Sequence, residues 1–154
     1  MARKPVSGKP VRSSHVEMTE MVLPNDTNRL GNLLGGRLMH WIDISGAIAA
    51  WRHTNRICVR ASVDELNFIH PIKEGEVVVL RASVNRAFHT SVEVGVKVSK
   101  ENPATGEKKH TNTAYLTFVA LADDGRPTSV PPVRPATAEE RRRYRDAARR
   151  RALR

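Results

Sequence analysis

A single cysteine, Cys58, is all that the 154 residues contain, so no disulfide can close within the chain, and any metal would depend on histidine and carboxylate ligands alone. That scarcity suits a reducing, cytoplasmic setting. Cys58 itself, with no obvious partner, reads as a small buried apolar residue. Long apolar runs are missing as well. The opening MARKPVSGKPVRSSHVEM has positive charge but no apolar stretch behind it, and no later segment approaches the roughly 20 apolar residues of a membrane span. An unexported protein without a membrane span is therefore expected, and Asn25-Asp26-Thr27 is a chance match to the glycosylation pattern.

Acidic residues are absent from 1–14, while 134–154 holds nine arginines against only Glu139, Glu140 and Asp146. The intervening 15–133 carry 13 basic and 13 acidic residues, so the formal net charge of +10 belongs to the two ends. A neutral body with basic ends is not the footprint of a domain whose main surface tracks phosphates, and nucleic acid is not expected as the principal partner.

Three regions follow: a mobile basic arm over 1–14, with little to bury; a folded domain over 15–133; and a basic Arg/Ala-rich tail or helix over 134–154. In the domain, His15–Val22 alternates apolar and polar residues as a half-buried strand does, and Leu23-Pro24-Asn25-Asp26 breaks it. Residues 37–52, RLMHWIDISGAIAAWR, set apolar side chains around most of a helical circumference, predicting a helix buried on nearly all sides. Four strands are predicted over 58–68, 76–88, 90–100 and 109–122, rich in Val and Thr. The expected order is strand, helix, then four strands in a meander. The proline-rich stretch ending at Pro135 should not continue a sheet, and Thr137 caps a helix over 138–151 whose acidic first turn is favourable. Lacking an apolar stripe, that helix should be solvated or loosely held.

Asp43 sits within the apolar helix, where an ionised carboxylate is costly unless it meets donors, water or a substrate that needs it. The structural alternative is a cap or a pair with a buried arginine, but such unfavourable placements concentrate at functional sites. Gly35-Gly36 stands just before the predicted helix, where unpaired backbone N–H groups and the positive dipole end can receive a developing oxyanion. His40 shares a helical face with Asp43 and reads more readily as a packing or interface residue.

Taken in order, Pro24, Asp26, Asn28, Gly31-Asn32, Gly35-Gly36, Met39 and Asp43 form a string more specific than any of its parts. It resembles the acyl-CoA thioesterases of the hotdog superfamily, the branch with the YciA-type enzymes and the brain-type acyl-CoA hydrolases. Asp64 through Phe68, then Pro71, Gly75 and Glu76, and later Thr90-Ser91-Val92-Glu93-Val94, extend the resemblance over about 16–122. Leu34 and His89 depart from the residues common there.

The resemblance implies an α+β hotdog fold, a five-stranded antiparallel sheet wrapped around a long central helix, with the Arg-rich C-terminal helix added. It implies acyl-CoA hydrolysis with no cofactor beyond the CoA of the substrate. Asp43 would be general base or nucleophile, completed by Asn28 of the partner protomer and the Gly36 N–H, with CoA or substrate contacts from Gly35, Asn67, His70, Pro71, Thr90 and Ser91. It further implies a dimer with sites at the interface, assembled as a trimer of dimers, which is a hexamer.

Two rivals remain: a non-catalytic acyl-CoA binder, and a nucleic-acid-binding protein acting through its basic C-terminal helix. A related dehydratase would need a paired His and acid for proton abstraction from carbon, against which the Asn28–Asp43 string argues.

Overall fold

The computed structural model describes residues 7–64 and 70–153. Five strands form one antiparallel sheet: β2 (Val16–Met21), β3 (Ile57–Val63), β4 (Val77–Ala87), β5 (Ser91–Glu101) and β6 (Lys108–Leu121). A two-residue parallel pair joins β1 (Lys9–Pro10) to β7 (Val133–Arg134). Two helices, α1 (Gly35–Thr54) and α2 (Ala138–Ala152), complete the fold. The α+β hotdog architecture expected from the sequence is present, with α1 against the concave face and α2 against the outer face.

The strand order is β2-β4-β5-β6-β3, which corrects the four-strand meander: only β4, β5 and β6 form one. The cause is α1. At 20 residues it is about 30 Å long, enough to carry the chain across the whole sheet between β2 at one edge and β3 at the other. β4 then lies beside β2, not beside β3.

Period two decides the two faces. Val92, Val94, Val96 and Val98 of β5 are fully buried, as are Val78, Leu80 and Val84 of β4 and Leu116 of β6. They pack with Leu38, Ile42, Ala49 and Ala50 of α1 in one core, each large side chain contributing roughly 1.5–3 kcal/mol. Gly46 lets the helix backbone approach closely, since a Cβ there would lie 3.2 Å from the Phe118 ring. The helix is not buried on all sides within one chain. Trp51 is 60% exposed and Ile44 38%, so one flank of α1 stays open beside the unpaired edge of β3, where Ile57, Val59 and Val63 are exposed too.

From Ser7 onward the expected mobile arm is instead docked. Val11 and Ser14 are buried, and the Ser14 hydroxyl accepts from the Val84 N–H at 2.9 Å, because the short β1–β7 ladder gives this polar segment a place to pair. The proline-rich stretch likewise contributes to pairing through β7, and it buries Val130 and Val133. The Pro131 carbonyl accepts from buried His53 Nε2 at 2.7 Å. Burial pushes the His53 ring below its ordinary pKa, outweighing the Pro131 contact, and the Lys9 charge adds to the depression.

The outer face corrects the reading of α2 as loose. Glu93 is fully buried there and takes a bidentate contact from Arg150, Nε at 2.9 Å and Nη2 at 2.6 Å. Asn85 Nδ2 donates to the same carboxylate at 3.0 Å, and Gly95 makes the room, since a Cβ there would sit 2.8 Å from that nitrogen. Burial opposes the charge of Arg150, but the hydrogen bonds and charge of Glu93 prevail and raise its pKa. Its guanidinium also stacks 3.6 Å from the Tyr115 ring centroid, and Arg86 stacks 3.9 Å from that of Tyr144. The helix is held by cation–π and charged contacts rather than by an apolar stripe.

Arg150→Ala, which strips the guanidinium from a buried carboxylate, should cost about 3 kcal/mol in urea denaturation. Arg149→Ala, which breaks an exposed pair with Asp146, should cost about 1 kcal/mol or less. For His53 the folded-state pKa is the depressed one, so the unfolded chain takes up the proton first. Its contribution is fully present above the unfolded value near 6.5 and is lost as pH falls below it. The stability advantage of the parent over His53→Gln, measured at pH 7.5 and 5.5, should shrink at the lower pH.

Candidate functional site

The loop between β2 and α1 is built around a buried carboxylate, Asp26, which belongs both to the expected turn and to the string from Pro24 to Asp43. Asp26 accepts from the Leu23 N–H at 2.9 Å and pairs with Arg37 Nε at 3.1 Å, tying a 3-10 turn to the first turn of α1. Beyond it Asn28 folds the next turn, its Oδ1 accepting from the Leu30 N–H at 2.9 Å and the Asn32 N–H at 3.1 Å. That loop is stitched to the segment before β4: Leu33 N–H donates to Ile72 at 2.6 Å and Glu74 N–H to Gly31 at 2.9 Å. Asn28 is thereby fixed and exposed, with its side-chain carbonyl committed to its own loop.

The helix begins two residues earlier than its apolar pattern suggests, at Gly35, with Leu34 as N-cap and no side-chain cap. Gly35 and Gly36 are thus the first two helical residues, a correction to their placement before the helix. Their N–H groups lie in the turn that has no intrahelical acceptors, and both residues are exposed. Gly36 has no atom within 4 Å of a notional Cβ. Seven residues on, along the same side of the helix, comes Asp43.

Asp43 is half-buried and asymmetric. Its Oδ1 is enclosed and has no hydrogen bond among the described residues, while its side chain as a whole is 43% exposed, so the exposure lies at Oδ2. Arg60 of β3 stands 3.6 Å from Oδ1. This is a pairing the sequence reading missed at Arg60. The available signal was the alternation of Cys58 and Arg60, which sets both toward the helix, as the partial burial of Cys58 against the core confirms.

No hydrogen bond or ion pair among the described residues joins Asn28 to Asp43 within one chain. His70 and Pro71 lie in the segment bound to the Asn28 loop, with the Pro71 carbonyl accepting from Lys100 at 2.8 Å. Ser91 is buried on the outer face, its hydroxyl 3.4 Å from Arg151, on the opposite side of the sheet from Asp43. Thr90 is half-buried at the start of that strand, and Asn67 lies outside the described residues. His40 is exposed. Burial pushes the Cys58 thiol pKa up, only partly offset by Thr54. Among the described residues no three His, Cys, Asp or Glu side chains gather as metal ligands.

A cleft of about 1070 Å³ opens on the outer face between α2 and the sheet, among Arg81, Lys97, Tyr115 and Arg150. It does not contain Asp43. The carboxylate instead opens onto the uncovered flank of α1 and β3, a half-site in shape.

Residues 30–107 match the Thioesterase superfamily. The chain is 44% identical over 129 residues to a protein named uncharacterized acyl-CoA thioester hydrolase YkhA of Bacillus subtilis, covering 84% of this chain and 75% of that one. A solved hexameric acyl-CoA thioesterase superposes with a TM-score of 0.92 at 38% identity, over 96% of this chain and 95% of the other. The Staphylococcus aureus acyl-CoA hydrolase, solved with butyryl coenzyme A, coenzyme A and coenzyme A disulfide, gives 0.87 at 36% identity, over 92% and 87%. That enzyme was also solved as variants with one aspartate, one asparagine or one threonine replaced by alanine. By sequence and by fold alike, the chain belongs to the thioesterase superfamily, within its hotdog-fold acyl-CoA thioester hydrolases.

Proposed function

We propose that this protein hydrolyses acyl-CoA thioesters to a free acid and CoA. The observation that carries the reading is Asp43, a carboxylate in the apolar middle of α1 with one oxygen enclosed and the other presented to an open flank. Two turns back along the same side lie the N–H groups of Gly35 and Gly36, which have no hydrogen-bond acceptor among the described residues. A thioester laid on that side meets N–H donors for its carbonyl oxygen and a carboxylate for its attacking water. Asp43 takes a proton from water as the water oxygen adds to the carbonyl carbon; the tetrahedral oxyanion collapses, the C–S bond breaks, and the thiolate leaves as CoA and is reprotonated. Direct attack by Asp43 would instead give an anhydride that water then opens. Transfer of 18O from labelled water into Asp43 in a single turnover separates the two.

The half-open site supports a second protomer as its other wall. The unpaired β3 edge and the exposed Ile44 and Val63 on its helix side offer a self-complementary surface. Asn28 of the partner subunit then completes the site across it, and the exposed position of Asn28 on a rigid loop suits that role. The hexameric relative supports a trimer of dimers. The residue types replaced in the Staphylococcus aureus enzyme, an aspartate, an asparagine and a threonine, include those of Asp43 and Asn28, which supports the two as working residues.

Gly35, His70, Pro71 and Thr90 remain the proposed CoA contacts, with Asn67 beside them in sequence; Ser91 would act through its backbone, its hydroxyl being engaged with α2. No cofactor is needed, and the described helices are not long and apolar enough to cross a membrane. The lone cysteine supports a cytoplasmic setting. A nucleic-acid role for the C-terminal helix is disfavoured, because Arg150 and Arg143 are already paired with Glu93 and Glu139.

Thiol release from a panel of acyl-CoAs tests the reading. The parent should turn over several chain lengths, and Asp43→Ala, at matched oligomeric state, should lose at least about 100-fold; a parent inactive on every chain length would refute it. Gly36→Ala should raise stability by about 0.5 kcal/mol, since the site is open and helical. The added methyl should lower turnover by crowding the carbonyl, so stability and activity should move in opposite directions.

A further inference from the structure

We infer that Arg60 is the positioning residue of this reaction: it draws Oδ1 of Asp43 inward and so leaves Oδ2 as the oxygen that meets water or the thioester. The inference rests on the reading of Asp43 as the catalytic carboxylate. Arg60 is well placed for the task. It lies opposite Phe118 in the β3–β6 ladder, and Phe118 lies directly beneath Gly46 of the helix. Its backbone is held by strand pairing, and it is the last residue before the bulge in β3.

The asymmetry of Asp43 is the second ground. An enclosed carboxylate oxygen without a hydrogen bond is costly to hold, and the cation 3.6 Å away is what compensates it among the described residues. A free carboxylate rotates about its last torsion and presents either oxygen; a cation on one side fixes which. At 3.6 Å the contact is longer than the direct N⁺–H···O⁻ bond of about 2.7–2.9 Å, so the hold is electrostatic and leaves the carboxylate able to adjust during reaction. Both side chains are about 40% exposed, and pairs in that setting add little to stability. Arginine also keeps its charge at any working pH and presents a planar fork of donors, which a lysine does not reproduce.

Steady-state thiol release from butyryl-CoA, with Arg60→Gln, Arg60→Lys, Arg60→Ala and Asp43→Asn beside the parent, tests this. Arg60→Gln should lower kcat about tenfold or more while KM stays within about threefold, at a melting temperature within about 2 °C of the parent. Arg60→Lys should recover part of the loss, and added methylguanidinium should accelerate Arg60→Ala but not the parent. If Asp43→Asn keeps parental activity, the proposed function of Asp43 falls and this inference with it. If Asp43→Asn is inactive while Arg60→Gln and Arg60→Ala retain parental kcat, Asp43 stands and the role of Arg60 is overturned. A change confined to KM would make Arg60 a substrate-binding group and would equally overturn it. Should the alanine variant fail to fold, Arg60→Gln and Arg60→Lys carry the same comparison.

Discussion

The contact between α1 and the concave face of the sheet is the constraint on which the rest of the molecule depends. A curled sheet needs something to curl around, and the row of valines on β5 gives the helix a smooth apolar bed. Gly46 brings the helix backbone down onto Phe118. That close seat sets the height of Asp43 above the sheet, and so brings it within reach of Arg60. It also carries the chain from one sheet edge to the other, which fixes the strand order.

Much of this was legible in the sequence. The alternation of Val92 to Val98, the length of the apolar helix and the Thr137 cap all reported local physics, and they located the elements to within a few residues. The string from Pro24 to Asp43 carried more, because loop, helix start and carboxylate are bound into one unit through Asp26 and Arg37. Strand order was not legible. Periodicity says which residues face inward but not which strand lies beside which, and β3 and β4 follow one another in sequence while lying at different places in the sheet.

The site was legible in its acid and hidden in its cation. Asp43 announced itself by being charged within an apolar helix, whereas Arg60 sits in a strand with ordinary polar residues nearby. Only the register of β3 against β6 brings the two together. The same holds on the outer face. Arg150 and Glu93 are 57 residues apart in sequence, and nothing local marks Glu93 as a buried acid or α2 as its lid. Composition reported a basic tail; the fold turns one of its charges into a structural pin.

The bulge in β3 has a bearing on how this chain tolerates insertions and deletions. Ala61 is the extra residue, with Arg60 opposite Phe118 and Ser62 opposite Thr117, so the strand runs in two phases joined at one point. Removing Ala61 would shorten the chain by a single small exposed residue, a change that looks innocuous by size and polarity. It would merge the two phases with Arg60 still opposite Phe118 and Ser62 still opposite Thr117, so that neither half turns over, whereas loss of a paired residue such as Val59 would turn one half to the opposite face. The tolerance of this edge is therefore to be judged by parity, not by volume.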